Sequence, residues 1–234
     1  MGLVVQPVER PLTDLEADPF AGAAVLGVLD AADRQYLVSR SVRRSIDKGQ
    51  ILFLEGDRSD SVLVLISGHM NVLRYSSGGD QFIVNTVVPG DTIGEVGVLS
   101  KGPRSATVQA TEQSMVLKLA GSVIIDLVSE RPAMAVALLE RMADMVRRIT
   151  GVATDLVFLD LRQRVAKHLL QLDTAEPHLV RSDVTQGEVA ARIGASRQRV
   201  NACLRDFATQ GWISMESRKL RVLDREALTQ LVNF

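Results

Sequence analysis

Apolar positions along the chain fall into three textures. After an arm marked by Pro7, Pro11 and Pro19, positions from about 20 to 42 recur at helical spacing. Between 46 and 120 the apolar residues gather into short β-branched and aliphatic runs at 51–54, 62–66, 71–75, 82–88, 107–110 and 115–119. Gly49, Gly56, Gly68, Gly78, Gly79, Gly90 and Gly102 separate them, a punctuation that predicts a compact antiparallel sandwich or barrel. Helical spacing returns with a short helix over 122–129 and a longer one that carries Pro132 in its first turn.

Along that longer helix Ala135, Leu138, Met142, Met145, Ile149, Val152 and Leu156 follow alternating steps of three and four, with Arg141, Asp144, Arg147 and Arg148 off the seam. The plainer reading is a helix packed on its own domain. Three unbroken heptads favour an interface between two copies, so Leu138, Met142, Met145, Ile149, Val152 and Leu156 are the candidate seam of a homodimer. A further amphipathic segment at 157–172 and a polar loop with Pro177 lead into a compact C-terminal region.

That region reads VTQGEVAARIGASRQRVNACLRDFATQGWI. Thr185 and Glu188 have capping-box spacing, Gly194 ends the first helix, and Ser196 caps a second. Val200, Leu204 and Phe207 turn inward at helical spacing, leaving Arg197, Gln198, Asn201 and Arg205 outside. This is the helix-turn-helix pattern, although a surface helical hairpin shares it. Two strand-like runs flanking residues 216–219 add a wing with basic residues at its tip, which strengthens the DNA-binding reading. The candidate DNA contacts are Thr185, Ser196, Arg197, Gln198, Arg199, Asn201, Arg218 and Lys219. Arg197 suits guanine and Gln198 suits adenine.

A second informative stretch is PGDTIGEVGVLSKGPRSATVQA. A turn at Gly94, Glu95 and Val96 can present backbone N–H groups to an anion, while Arg104 adds a guanidinium fork and Ser105 a hydroxyl. A surface turn with a Glu95–Arg104 ion pair is the simpler alternative.

Composition sharpens this picture at one point. The 234 residues carry 27 Lys and Arg against 28 Asp and Glu, which excludes a uniformly basic protein. Divided at 158, the C-terminal part holds 12 Lys and Arg against 9 Asp and Glu, and the remainder holds 15 against 19, so a modestly basic half is hidden in a neutral total. The single cysteine, Cys203, rules out an internal disulfide, and three scattered histidines argue against a metal site. No run is long enough to cross a bilayer and the first residues lack a signal-peptide pattern, so the expectation is a cytoplasmic protein with no membrane partner.

The sequence from about 46 to 223 resembles the cyclic AMP receptor protein and fumarate–nitrate regulator (CRP/FNR) family of transcription regulators. The resemblance rests on Gly94, Glu95, Gly97, Leu99 and the run 103–110 as a phosphate cassette, on Phe158, Leu159 and Asp160 as a hinge, and on Ser196, Arg197 and Val200 in the recognition helix. It implies an α+β fold: a jelly-roll-like β-roll cyclic-nucleotide domain over 1–130, a dimerisation helix over 131–157 and a winged helix-turn-helix over 158–234. It also implies that Glu95 binds the ribose, that Arg104 and Ser105 bind the cyclic phosphate with Gly94 and Val96 beside them, and that Thr150 reaches the base.

The family's Thr-Ser base-contacting pair falls on Ile149 and Thr150 here, its recognition-helix glutamate on Gln198 and its second arginine on Ala202. The expected effector is therefore cyclic AMP, or another nucleotide such as cyclic GMP or cyclic di-GMP, or none. Beyond an effector no cofactor or metal is expected. The expected partners are a palindromic double-stranded operator, a second copy of the chain and, as a further candidate, RNA polymerase. Over 94–105 a single carboxylate, Glu95, and no histidine argue against an enzyme.

Overall fold

A computed structural model describes residues 9–10, 18–175, 185–216 and 219–233. The chain divides into two compact units, one comprising 1–74 and 84–145, the other 75–83 and 146–234. The division falls inside the long helix, between Met145 and Val146, rather than at the hinge.

In the first unit two antiparallel sheets face one another. One has the order β1 (Glu9–Arg10), β2 (Val42–Ile46), β9 (Ser114–Ala120), β4 (Ser61–Ser67), β7 (Thr92–Ile93). The other runs β3 (Ile51–Phe53), β8 (Thr107–Ala110), β5 (Met70–Tyr75), β6 (Gln81–Val87). All six predicted runs became strands. The short β7 was not predicted, being two residues long and close to the glycine of the following turn.

The predicted helix over 20–42 is shorter in the structure. Only α1 (Ala31–Arg40) is helical, started by the Asp30 carboxylate accepting from Asp33 N at 2.8 Å. Ahead of it, turns at 19–28 bury Phe20, Val25 and Leu26, and Arg34 ties them down by bonding the Leu29 carbonyl and pairing with Asp18 at 2.7 Å. Val42 onward pairs with β9, Val42 opposite Lys118 and Ile46 opposite Ser114, so tertiary pairing overrides the helical spacing there.

Helices α3 (Gly121–Glu130) and α4 (Pro132–Phe158) follow the β-roll. Ile124, Leu127, Met134 and Leu138 join Phe20, Leu26, Leu37, Leu117 and Leu119 in one core. Leu138 thus belongs to the interior of its own domain and is corrected from the candidate dimer seam. The spacing could not distinguish the two faces because the seam and the inward face overlap at this end of the helix.

The second unit packs α5 (Leu161–Ala175), α6 (Gln186–Ile193), α7 (Arg197–Thr209) and α8 (Arg225–Val232) with the hairpin β10 (Ile213–Glu216) and β11 (Lys219–Val222). Val165, Leu169, Val200, Leu204, Phe207 and Leu228 are completely buried in its core. Between α4 and α5, Asp160 accepts from Gln163 N at 2.8 Å and Gln163 accepts from Asp160 N at 2.9 Å, a reciprocal cap that fixes where the new helix begins. Among the described residues no helix is long and apolar enough to cross a membrane.

On α5 lies His168, whose Nε2 is sealed from solvent without a hydrogen-bond partner. Burial, with help from the Arg192 charge, pushes its pKa down from 6.5 to about 4. The neutral ring is therefore favoured on folding. Its contribution is complete above the unfolded pKa of 6.5 and is lost as pH falls toward 4, up to ~3 kcal/mol. Stability measured by denaturation between pH 7 and 4 should fall across that window, and His168→Leu should flatten the fall; an unchanged slope in the variant would count against the assignment.

Candidate nucleotide pocket and nucleic-acid interface

Strand β7 delivers the chain to Gly94, which caps α2 (Glu95–Leu99) at φ 86°. A Cβ at position 94 would lie 1.9 Å from Arg104 Nη1, so glycine is required both by the left-handed backbone and by the side chain packed against it. Arg104 follows the tight turn at Gly102 and Pro103 and is anchored in place by its backbone: Arg104 N donates to Asp57 O at 2.9 Å, and Gly56 N donates to Arg104 O at 2.9 Å.

The Arg104 side chain is only 4% exposed. Its Nη1 donates to Gly94 O at 3.1 Å, its Nη2 donates to Ser61 Oγ at 3.1 Å, and the guanidinium carbon lies 4.1 Å from the centre of the Phe53 ring. Arg104 Nε is buried with no partner. Contrary to the surface-turn alternative, no ion pair joins Arg104 to Glu95 or to any other described carboxylate. Burial pulls the guanidinium pKa below its ordinary value, opposed at longer range by Asp60, Asp57 and Glu95.

Glu95 is 8% exposed, and burial pushes its carboxyl up from the usual carboxylate range. Its own backbone N–H and the charges of Arg141 and Arg104 oppose that rise, while Asp91 adds to it. Arg141, on α4, pairs with Asp91 at 2.9 Å and fixes that part of the helix to the turn before β7. Val96 is partly buried and Ser105 is exposed, with Ser105 O accepting from Arg74 at 3.3 Å. Thr92 Oγ1, one turn of chain from Gly94, is another buried polar atom without a partner.

The structure therefore brings Gly94, Glu95 and Arg104 together in one cluster, the candidate pocket. Sequence reasoning missed Ser61, Phe53, Thr92 and Arg141. Ser61 had a usable signal, a polar residue opening the most apolar strand, whereas Phe53 and Arg141 reach the pocket only through tertiary packing. Ile149 and Thr150 are both exposed on α4, in the second compact unit.

In that second unit Thr185 caps α6, accepting from Glu188 N at 3.1 Å, and Glu188 turns to Arg192 at 3.1 Å rather than completing the predicted reciprocal box. Gly194 ends α6 at φ 65°. Ser196 occupies the cap position of α7 but its hydroxyl makes no capping bond, leaving it free to face another acceptor. Arg197, Gln198 and Arg199 are exposed in the first turn of α7 and Ala202 and Arg205 continue the exposed surface. Asn201 is corrected: it is half-buried and its Oδ1 is occluded and unpartnered, because it sits beside the inward row led by Val200. Arg218 and the Lys219 side chain lie outside the described residues.

Comparison with known proteins agrees with both domains. Residues 43–131 match the cyclic nucleotide-binding domain and residues 163–231 the Crp-like helix-turn-helix domain. A CRP-like cAMP-activated global transcriptional regulator of Mycobacterium tuberculosis is 32% identical over 189 residues, covering 78% of this chain and 84% of that protein. The cAMP-activated global transcriptional regulator Vfr of Pseudomonas aeruginosa is 28% identical, covering 77% and 88%. Among solved structures, the c-di-GMP responsive global regulator CLP of Xanthomonas campestris matches with a TM-score of 0.75 at 19% identity, covering 82% of this chain and 99% of its own, a likeness of fold. With a nucleotide-binding β-roll, a winged helix-turn-helix and a relative of this similarity, the chain belongs to the CRP/FNR family of ligand-responsive, DNA-binding transcription regulators.

Proposed function

We propose that the pocket of Gly94, Glu95, Arg104 and Ser105 takes a cyclic nucleotide, with cyclic AMP as the first choice, and that the bound form holds a palindromic operator as a homodimer. The carrying observation is that Arg104 is buried against neutral acceptors and an aromatic ring with no described carboxylate paired to it. A cyclic phosphate would supply the missing negative charge and Ser105 a hydroxyl beside it. The buried carboxylate of Glu95 would accept from a sugar hydroxyl, and Thr150 would offer a hydroxyl to the base.

Cyclic AMP is favoured by the relatives named as cAMP-activated. Ile149, which offers no hydrogen bond to a base, favours looser selectivity and keeps cyclic GMP and cyclic di-GMP as alternatives. The ligand would act by population shift, stabilising whichever conformer it binds more tightly by its difference in affinity. Calorimetric titration with the three nucleotides should give cyclic AMP the highest affinity, and Arg104→Ala should abolish both binding and the accompanying rise in melting temperature. Retention of the response by Arg104→Ala would refute the pocket.

For the dimer the exposed surface of α4 selects a register. Leu139 is 68% and Val146 62% exposed, and with Met142, Ile149, Ala153 and Leu156 they form a seam of steps three and four. Met142, Ile149 and Leu156 are retained from the sequence reading, while Leu139, Val146 and Ala153 take the place of Leu138, Met145 and Val152. Leu139→Asp should shift the chain toward monomer in sedimentation while leaving the β-roll folded. Leu138→Ala should instead cost about 2–5 kcal/mol of stability. The reverse pattern would reject the register.

On DNA, Arg197 would read a guanine and Gln198 would set the preference beside it, with RNA polymerase as a further partner of the bound regulator. Arg197→Ala should lower operator affinity by about 1–3 kcal/mol for each half-site and relax selection at one position in random-site enrichment. Selection unchanged at every position would exclude Arg197 from base readout.

A further inference from the structure

A cavity of about 490 Å³ has a lining of its own, which includes none of Gly94, Glu95, Arg104 or Ser105. Its walls include Arg58, Lys101, Pro103, Ser122 and Ile125. We propose that this cavity is a second ligand site, for a small organic molecule bearing a phosphate or similar oxyanion.

Three features converge there. Arg58 and Lys101 are exposed cations, and neither has an ion pair or side-chain hydrogen bond among the described residues. Lys101 also sits at φ 54°, the one non-glycine residue in the left-handed region among those described. Strain held at such a position points to a use for the side chain it presents. Third, the ten-residue helix α3 begins in the wall at Gly121 and Ser122. Gly121 N donates to Asp60 O at 2.8 Å, while the cap residue Ala120 has no side-chain acceptor and the helix's own first turn carries no acid.

Asp60 also lines the cavity and opposes an anion, but its charge is already engaged. Against the desolvation that would raise its pKa, the Ser61 hydrogen bond and the Lys118 and Arg104 charges hold it below the ordinary carboxylate value. The remaining surface of Val98, Pro103 and Ile125 is apolar, which suits the body of an organic phosphate better than a bare ion. The volume is that of an ordinary small-molecule pocket.

The test is a titration of the full-length chain with inorganic phosphate and with phenyl phosphate, read by calorimetry and by backbone amide shifts. Shifts of Ser122 and Val123 report this cavity, and those of Glu95 and Ser105 report the nucleotide pocket, so failure of one assignment leaves the other readable. Phenyl phosphate should bind more tightly than inorganic phosphate and move the Ser122 and Val123 amides. The double variant Arg58→Ala, Lys101→Gly should weaken that binding at least about tenfold, the loss expected for charge-assisted bonds. Lys101→Gly alone, by relieving the left-handed backbone, should leave the melting temperature equal or higher, which separates lost binding from lost fold. Absence of binding up to about 10 mM, or binding that survives the double variant, or shifts confined to Glu95 and Ser105, would overturn the proposal.

Discussion

A buried arginine without a carboxylate to neutralise it is the constraint around which the first domain is arranged. Desolvating a guanidinium is costly, and an internal ion pair is the usual way to offset the cost. Here the offset is divided among a backbone carbonyl, a serine hydroxyl and an aromatic face. Each of those neutral groups stabilises the cation less than a carboxylate would, and each leaves it able to accept an incoming anion. A fixed carboxylate at the same place would have filled the site permanently. The local sequence follows from this need: glycine at 94 because the guanidinium occupies the space of a Cβ, Ser61 at the mouth of β4, and the backbone of 104 clasped to 56 and 57 by two hydrogen bonds.

The same economy of faces governs α4. Its first half belongs to the β-roll: Met134, Ala137 and Leu138 are buried and Arg141 is paired to Asp91. Beyond Met145 the helix belongs to the other compact unit, and its large apolar residues, Val146, Ile149, Val152, Leu156 and Val157, are exposed in the single chain. An apolar row of that length is unusual on a soluble surface and calls for a covering partner. A second copy of the same helix would meet that need with matched spacing, as the proposed homodimer requires.

These two faces also explain how far the sequence could be read. The β-roll was legible because its strands are short, β-branched and closed by glycines, and the winged helix because Thr185, Gly194 and the inward row of Val200, Leu204 and Phe207 carry local signals. The heptad register was not, since rows 135-138-142-145-149-152-156 and 139-142-146-149-153-156 share three positions, and only packing against Phe20 and Leu117 decides that Leu138 points inward. The N-terminal helix is shorter than its spacing predicts for a related reason: the strand from Val42 to Ile46 exists through its pairing with β9, 68 to 76 positions away in sequence. In the pocket, Glu95 and Arg104 were visible as a motif, whereas Phe53 and Arg141 came from strands and helices that only the fold brings near. Asn201 was misjudged by one helical step, its side chain falling between the exposed and buried rows of α7.

The near-balance of charge follows from dividing these tasks. The nucleotide domain holds Asp57, Asp60 and Glu95 at longer range from the buried arginine and pairs Asp91 with Arg141. The winged helix, with its modest excess of basic residues, cannot hold DNA by bulk electrostatics alone. It places Arg197, Gln198 and Arg199 together at the exposed start of α7, where each can contact a base edge or phosphate. In the proposed homodimer, two-fold symmetry would double that set, with half-sites about 34 Å apart. Weak basicity in each copy would then be an advantage, because a single copy would engage too few phosphates to stay bound.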